Sequence, residues 1–168
     1  KQIDKGDRRM VIYPKCKKVL FCTDFSKISD CAFDYAFGIA KRDDAVLYIL
    51  HVLERNPQWE TLSKMHLSEE QYNKIQEDNQ NDLERMFHEK YLNRIMDKTK
   101  AKIVTKSGRE DDEILEFAEN EKVDVIVLGT KGKKGMEHTF LGSVAEKVIR
   151  RSPIPVLVIP CKDKTGLA

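Results

Sequence analysis

The 168-residue chain predicts an α/β fold: an open, doubly wound, parallel five-stranded sheet with helices on both faces. Three observations carry that expectation. Short apolar runs rich in strand formers alternate with amphipathic helical patterns in the order β-α-β-α-β-α-β-α-β. Several of the runs are apolar throughout, as strands covered on both faces must be. Glycine and small polar residues cluster after the strands, where such folds turn into helices.

The elements follow in order. Residues 18–23, KVLFCT, read as the first strand, and 27–43, KISDCAFDYAFGIAKRD, as a helix. In that helix Ile28, Cys31, Ala32, Tyr35, Ala36 and Ile39 recur at three- and four-residue steps, and Ser26 is placed to cap it. Residues 45–53, AVLYILHVL, form a second buried strand. Residues 54–67, with Pro57 and Trp59, read as a loop. SEEQ at 68–71 has the form of a capping box. The apolar positions Tyr72, Ile75, Leu83, Met86, Phe87, Leu92, Ile95 and Met96 then describe one long helix or two shorter pieces, thinly apolar in the first half. AKIVTKSG at 101–108 is the third strand. A helix at 110–122 carries acids at its positive end and turns Ile114, Leu115, Phe117 and Ala118 inward. VDVIVLG at 123–129 is the fourth strand. LGSVAEKVIRRS is the last helix, with Leu141, Val144, Ala145, Val148 and Ile149 on one face. The fifth strand, at 155–159, is bracketed by prolines that cannot donate to a ladder and so point to a sheet edge.

Composition narrows the function. Apolar residues are 40% and charged residues 35%, which fits a single globular domain over 1–168. The formal net charge of +2 gives no whole-molecule field for nucleic acid. No apolar run approaches the ~18 residues of a membrane helix. The start, KQIDKGDRRM, is charged, and Met10 is a candidate first residue, with 1–16 an extension and lead-in to the first strand. A cytoplasmic protein is the expectation. Cys16, Cys22, Cys31 and Cys161 show no C-x-x-C or zinc spacing, so free structural thiols are expected.

Ligands of doubly wound sheets sit beyond the carboxyl ends of the strands, where strand order reverses. That rule selects Asp24 after the first strand, His51 to Leu53 ending the second, and Gly129 onward after the fourth. The stretch from Gly129 to Ser143, GTKGKKGMEHTFLGS, has the spacing G-x2-G-x9-G-S. Its glycines allow a ligand close to the main chain, and Gly142 and Ser143 stand where a helix begins, with free N–H groups and a favourable dipole for an anion. Lys131, Lys133 and Lys134 could add charge. On composition alone the stretch reads equally well as a basic surface turn, and Asp24 as a turn or capping residue. His138 reads as a surface residue and His51 as a packed one.

Three stretches carry a resemblance: KKVLFCTDFS at 17–26, LHVLE at 50–54, and VDVIVLGTKG…LGSVAEKVIRRSPIPVLVIP at 123–160. They resemble the ATP-binding branch of the universal stress protein family. The resemblance covers most of the chain apart from 54–100, a long variable loop and helix segment. It implies strand order 3-2-1-4-5 in an adenine nucleotide alpha hydrolase-like fold, with ATP (AMP or ADP possible) at the crevice between the first and fourth strands. By position, Asp24 and the Val52 backbone would face the adenosine, and Gly129 would approach the ribose. Gly132, Gly142, Ser143 and the Val144 N–H would hold the phosphates. Mg²⁺ or Mn²⁺ would bind through phosphate oxygens, and a homodimer would form through the last strand. Cys22 departs from the Pro or Val of many relatives. The expected function is a nucleotide-dependent regulatory protein with slow or no hydrolysis, since no Walker lysine-serine pair is present. An adenylyl-transferring or slowly hydrolysing enzyme, and an interaction module without nucleotide, remain the alternatives.

Overall fold

A computed structural model describes residues 14–54, 57–130 and 141–161. Five strands, β1 (Lys18–Cys22), β2 (Val46–Glu54), β3 (Ala101–Gly108), β4 (Val125–Gly129) and β5 (Val156–Ile159), form one parallel sheet in the order β3-β2-β1-β4-β5. The expected fold class and strand order both hold. Helices α1 (Lys27–Asp43), α2 (Pro57–His66), α3 (Glu69–Lys90), α4 (Glu110–Glu121) and α5 (Ser143–Arg151) connect them, with two short 3-10 turns at Leu92–Arg94 and Lys98–Lys100.

The central strands explain the two-layer cover. β1 lies between β2 and β4, and its successive side chains alternate between two cores. Val19 and Phe21 enter one, with Ala32, Phe33 and Ala36 of α1 and with Phe87, Tyr91 and Leu92. Leu20 and Cys22 enter the other, with Ile114, Leu115 and Ala118 of α4 and Ala145 and Val148 of α5. β5 is at the sheet edge, as its flanking prolines require.

Several local expectations are refined. In α1 the buried stripe is Ser29, Ala32, Phe33, Ala36 and Ala40, whereas Tyr35 is 57% exposed. The sequence is apolar on several sides here, and Phe33 wins the inward face because its ring meets Phe21 (5.5 Å between centroids) and Tyr91 (4.8 Å). Residues expected as a loop at 54–67 contain α2. Its Pro57 occupies the first helical position, where a missing N–H costs nothing. The capping box at Ser68 has both of its bonds, Gln71 N to Ser68 Oγ at 3.2 Å and Ser68 N to Gln71 Oε1 at 2.9 Å. The helical pattern after it breaks after Lys90, and Met96 is outside the core. Ile149 in α5 is also more exposed than its spacing suggested.

The cysteine expectation fails for two of four. Cys31 of α1 and Cys161, just past β5, form a disulfide with their Cα atoms 5.7 Å apart. They are 130 residues apart in sequence, so no local spacing could signal the pair. The fold brings them together because α1 and Ile159 of β5 share one core. Cys16 and Cys22 are free, and burial pushes the Cys22 thiol well above its usual range. Alkylation of denatured, unreduced protein should therefore add two labels, at Cys16 and Cys22, and four after reduction. Four labels without reduction, read by intact mass, would mean that the bond does not form.

Candidate functional site

The parallel register sets the ends of β1 and β4 side by side, with Val19 opposite Val125 and Phe21 opposite Val127. Beyond β1 the chain turns through Thr23, Asp24, Phe25 and Ser26 into α1. Beyond β4 it passes through Thr130. The connections from these two strands diverge, α1 leading to β2 and α5 to β5. In sheets of this order a ligand crevice is expected at the point where the connections diverge.

The turn after β1 is built from its own polar side chains. Asp24 Oδ1 accepts the Ser26 N–H at 3.0 Å and the Ser29 hydroxyl at 2.5 Å. Ser26 Oγ accepts the Ser29 N–H and caps α1, as expected. Asp24 is thus a turn residue in fact, and it stands at the crevice as well. Phe25 has φ 61°, a left-handed conformation uncommon for a bulky residue. It is held there by burial of its ring, 4.6 Å from His51 and 5.0 Å from Phe87, and by its N–H donating to Thr23 Oγ1 at 2.9 Å. His51 donates from Nδ1 to the Thr23 carbonyl at 2.7 Å, which fits its expected packed role.

Val52 is two residues beyond Leu50, whose carbonyl accepts the Thr23 N–H at 2.9 Å. By the period of two, the Val52 backbone turns to the same side, past the end of β1. Its side chain is buried on the α4 and α5 side. Gly129 ends β4 against α1. A Cβ there would lie 2.7 Å from Ile28 Cγ2 and 3.3 Å from the Ile28 backbone. The glycine therefore serves close packing of the α1 start on β4, a role the sequence did not indicate.

Gly142 is the N-cap of α5, with φ −74° and ψ 156°, which any residue adopts. Its N–H donates to the Thr130 carbonyl at 2.5 Å, tying the start of α5 to the end of β4. Ser143 is the first helical residue and exposed, and Val144 is half-buried. Among the described residues no side chain caps α5, whose N-cap is a glycine, in contrast to α1 and α3. The first N–H groups of that helix, at the end of β4, are donors of the type that binds anions. Gly132, Lys131, Lys133, Lys134 and His138 lie outside the described residues. Among the described residues no cluster of His, Cys, Asp and Glu could hold a metal ion, and no helix is long and apolar enough to cross a membrane.

Three residues at this site were not singled out from the sequence: Thr23, Ser29 and Tyr91. Thr23 and Ser29 flank Asp24 and could have been found as turn and cap chemistry. Tyr91 is 0% exposed and 68 residues from Thr23, and its hydroxyl lies 2.6 Å from Thr23 Oγ1 and 3.1 Å from Asp30 Oδ1. Burial, with the carboxylates of Asp30 and Asp24, outweighs the Thr23 hydrogen bond and holds the Tyr91 phenol well above its usual range, so it stays protonated.

A doubly wound parallel domain with a carboxylate-bearing turn and a helix start on the two sides of its switch point belongs to the class of open α/β sheet proteins. The Universal stress protein family profile matches residues 15–160, and the chain belongs to that family. Universal stress protein MJ0531 of Methanocaldococcus jannaschii is 36% identical over 153 residues, covering 85% of this chain and 81% of that relative. Universal stress protein MJ0577 of the same organism is 33% identical, covering 88% of this chain and 96% of that relative. The solved structure of MJ0577 superposes with a TM-score of 0.68, over 88% of this chain and 98% of that one. A universal stress protein solved in complex with cAMP has the same fold at 24% identity, with a TM-score of 0.55 over 87% of this chain and 98% of that one.

The Gly129 packing gives a stability test. Gly129→Ala should cost about 1–3 kcal/mol through overpacking, read by urea unfolding. The cost should shrink in an Ile28→Ala background, because the clash partner is gone. An unchanged midpoint in Gly129→Ala would show that α1 is not held that close.

Proposed function

We propose that this chain is an ATP-binding universal stress protein, a nucleotide-dependent regulatory protein that hydrolyses ATP slowly or not at all. The observation that carries the reading is the start of α5, which no described side chain caps and which Gly142 ties to the end of β4, across the switch point from the Asp24 turn. The family membership and the G-x2-G-x9-G-S spacing support the same ligand. In this reading the adenosine lies by Asp24 and the Val52 backbone, and Gly129 borders the ribose. Gly132, Gly142, Ser143 and the Val144 N–H take the phosphates, with AMP or ADP able to share the site. Mg²⁺ or Mn²⁺ would be carried by phosphate oxygens. A cytoplasmic location is part of the reading, and the Cys31–Cys161 bond weighs against it.

The test is calorimetric titration of the full chain with Mg-ATP, alongside mass analysis of gently denatured protein for a retained adenine nucleotide. Ser143→Ala should weaken ATP about tenfold or more, the value of one hydrogen bond to a charged group. Gly142→Val is a cleaner probe of space than of folding, since the backbone at Gly142 suits any residue. It should abolish binding with unchanged circular dichroism. A parent protein with no adenine nucleotide affinity, or both variants binding as the parent does, overturns the assignment.

A homodimer through β5 belongs to the same proposal. β5 is an edge strand, and Val156, Leu157 and Val158 are only half-buried in the single chain. Sedimentation should give a dimer, and Val158→Lys should give a monomer. A monomeric parent at micromolar concentration contradicts the pairing.

A further inference from the structure

We propose that Tyr91 is a positioning residue for the nucleotide site: its buried hydroxyl fixes the Thr23–Phe25 turn that presents Asp24, and so couples the end of α3 and the residues after it to nucleotide affinity. The inference rests on the nucleotide reading above and extends it to a residue far away in sequence.

The hydrogen bookkeeping is determined by the geometry. The Tyr91 hydroxyl donates its one proton to Asp30 Oδ1 at 3.1 Å. The 2.6 Å contact with Thr23 Oγ1 must then be Thr23 donating to the Tyr91 oxygen. That leaves Thr23 Oγ1 to accept the Phe25 N–H at 2.9 Å. A directed chain results, from the Phe25 N–H through the Thr23 hydroxyl and the Tyr91 hydroxyl to Asp30. Lys90 closes its far end, with Nζ 2.9 Å from Asp30 Oδ2. The bond from Phe25 is the one that opposes relaxation of its left-handed backbone, and Asp24 lies between the two residues it joins.

The rings act in the same direction. Tyr91 meets Phe21 at 5.2 Å, Phe33 at 4.8 Å and Phe25 at 6.1 Å, and Phe87, one helical turn earlier, meets Phe25 at 5.0 Å. The end of α3 and the residue after it thus supply both the surface that seats Phe25 and the hydroxyl that orients Thr23. A hydroxyl buried this deeply needs partners in any case, and here one of those partners is the Thr23 side chain that holds the Phe25 N–H.

Tyr91→Phe keeps the ring and removes the hydroxyl. In the full chain it should weaken Mg-ATP binding about fivefold, the equivalent of one neutral hydrogen bond, and accelerate hydrogen exchange at the Phe25 amide. Thr23→Val should reproduce both effects, and Thr23→Ser, which retains the hydroxyl, should restore both. Phe117→Leu, on the opposite face of the sheet against Tyr48, should lower stability and leave ATP affinity unchanged. A Tyr91→Phe protein that binds ATP as the parent does, or whose Phe25 amide exchanges at the parental rate, overturns this inference and leaves the nucleotide assignment standing. A parent that binds no adenine nucleotide overturns both.

Discussion

β1 is hydrogen-bonded on both edges and covered on both faces, and the rest of the molecule is arranged around that confinement. Its side chains must serve two cores at once, which is why KVLFC is apolar throughout and why Val19 and Phe21 part company with Leu20 and Cys22. Its carboxyl end emerges where the chain's connections diverge, between β2 and β4. The polar groups of the turn that follows bond one another, through Thr23, Asp24, Ser26 and Ser29.

The bonds of Asp24 show its role in the turn, and the proposed ligand-facing role is compatible with them. Oδ1 is engaged by Ser26 and Ser29, so the carboxylate is held in one orientation before any ligand arrives. Preorganisation of this kind lowers the ordering cost of binding. The start of α5 is built differently. Among the described residues it has no side-chain cap, and Gly142 is anchored through its N–H to the Thr130 carbonyl. In the proposed reading the base meets the internally bonded Asp24 turn and the phosphates meet the start of α5.

The sheet, its strand order through the resemblance, the Ser26 cap and the Ser68 capping box were all legible in the sequence, because each is written in residues close together. Asp24, Val52, Gly129, Gly142, Ser143 and Val144 were legible as positions at strand ends and a helix start. What escaped depends on distant partners. Tyr35 and Phe33 cannot be ranked within FDYAF until Phe21 and Tyr91 are known to face α1. Cys31 and Cys161 meet only after α1 and β5 share a core. Gly129 read as room for a ligand, and its contact with Ile28 appears only when α1 is laid on β4. Pro57 read as part of a loop, whereas its position at the head of α2 makes it a starter.

The same distinction divides the 57–100 segment. Leu62 and Met65 of α2 are 53% and 72% exposed, and the first half of α3 offers the body only half-buried Tyr72 and Ile75. From Leu83 onward the burial changes: Leu83 and Met86 pack against the core, and Phe87, Tyr91, Leu92 and Ile95 are part of it. Most described side chains of the outer half are exposed, with Ser63 of α2 a buried exception. Substitution in the inner half acts on the seat of Phe25 and on Thr23. The sparse apolar pattern at the start of this segment and the denser one at its end therefore mark a physical boundary, with the turn that carries Asp24 coupled to the second part and insulated from the first.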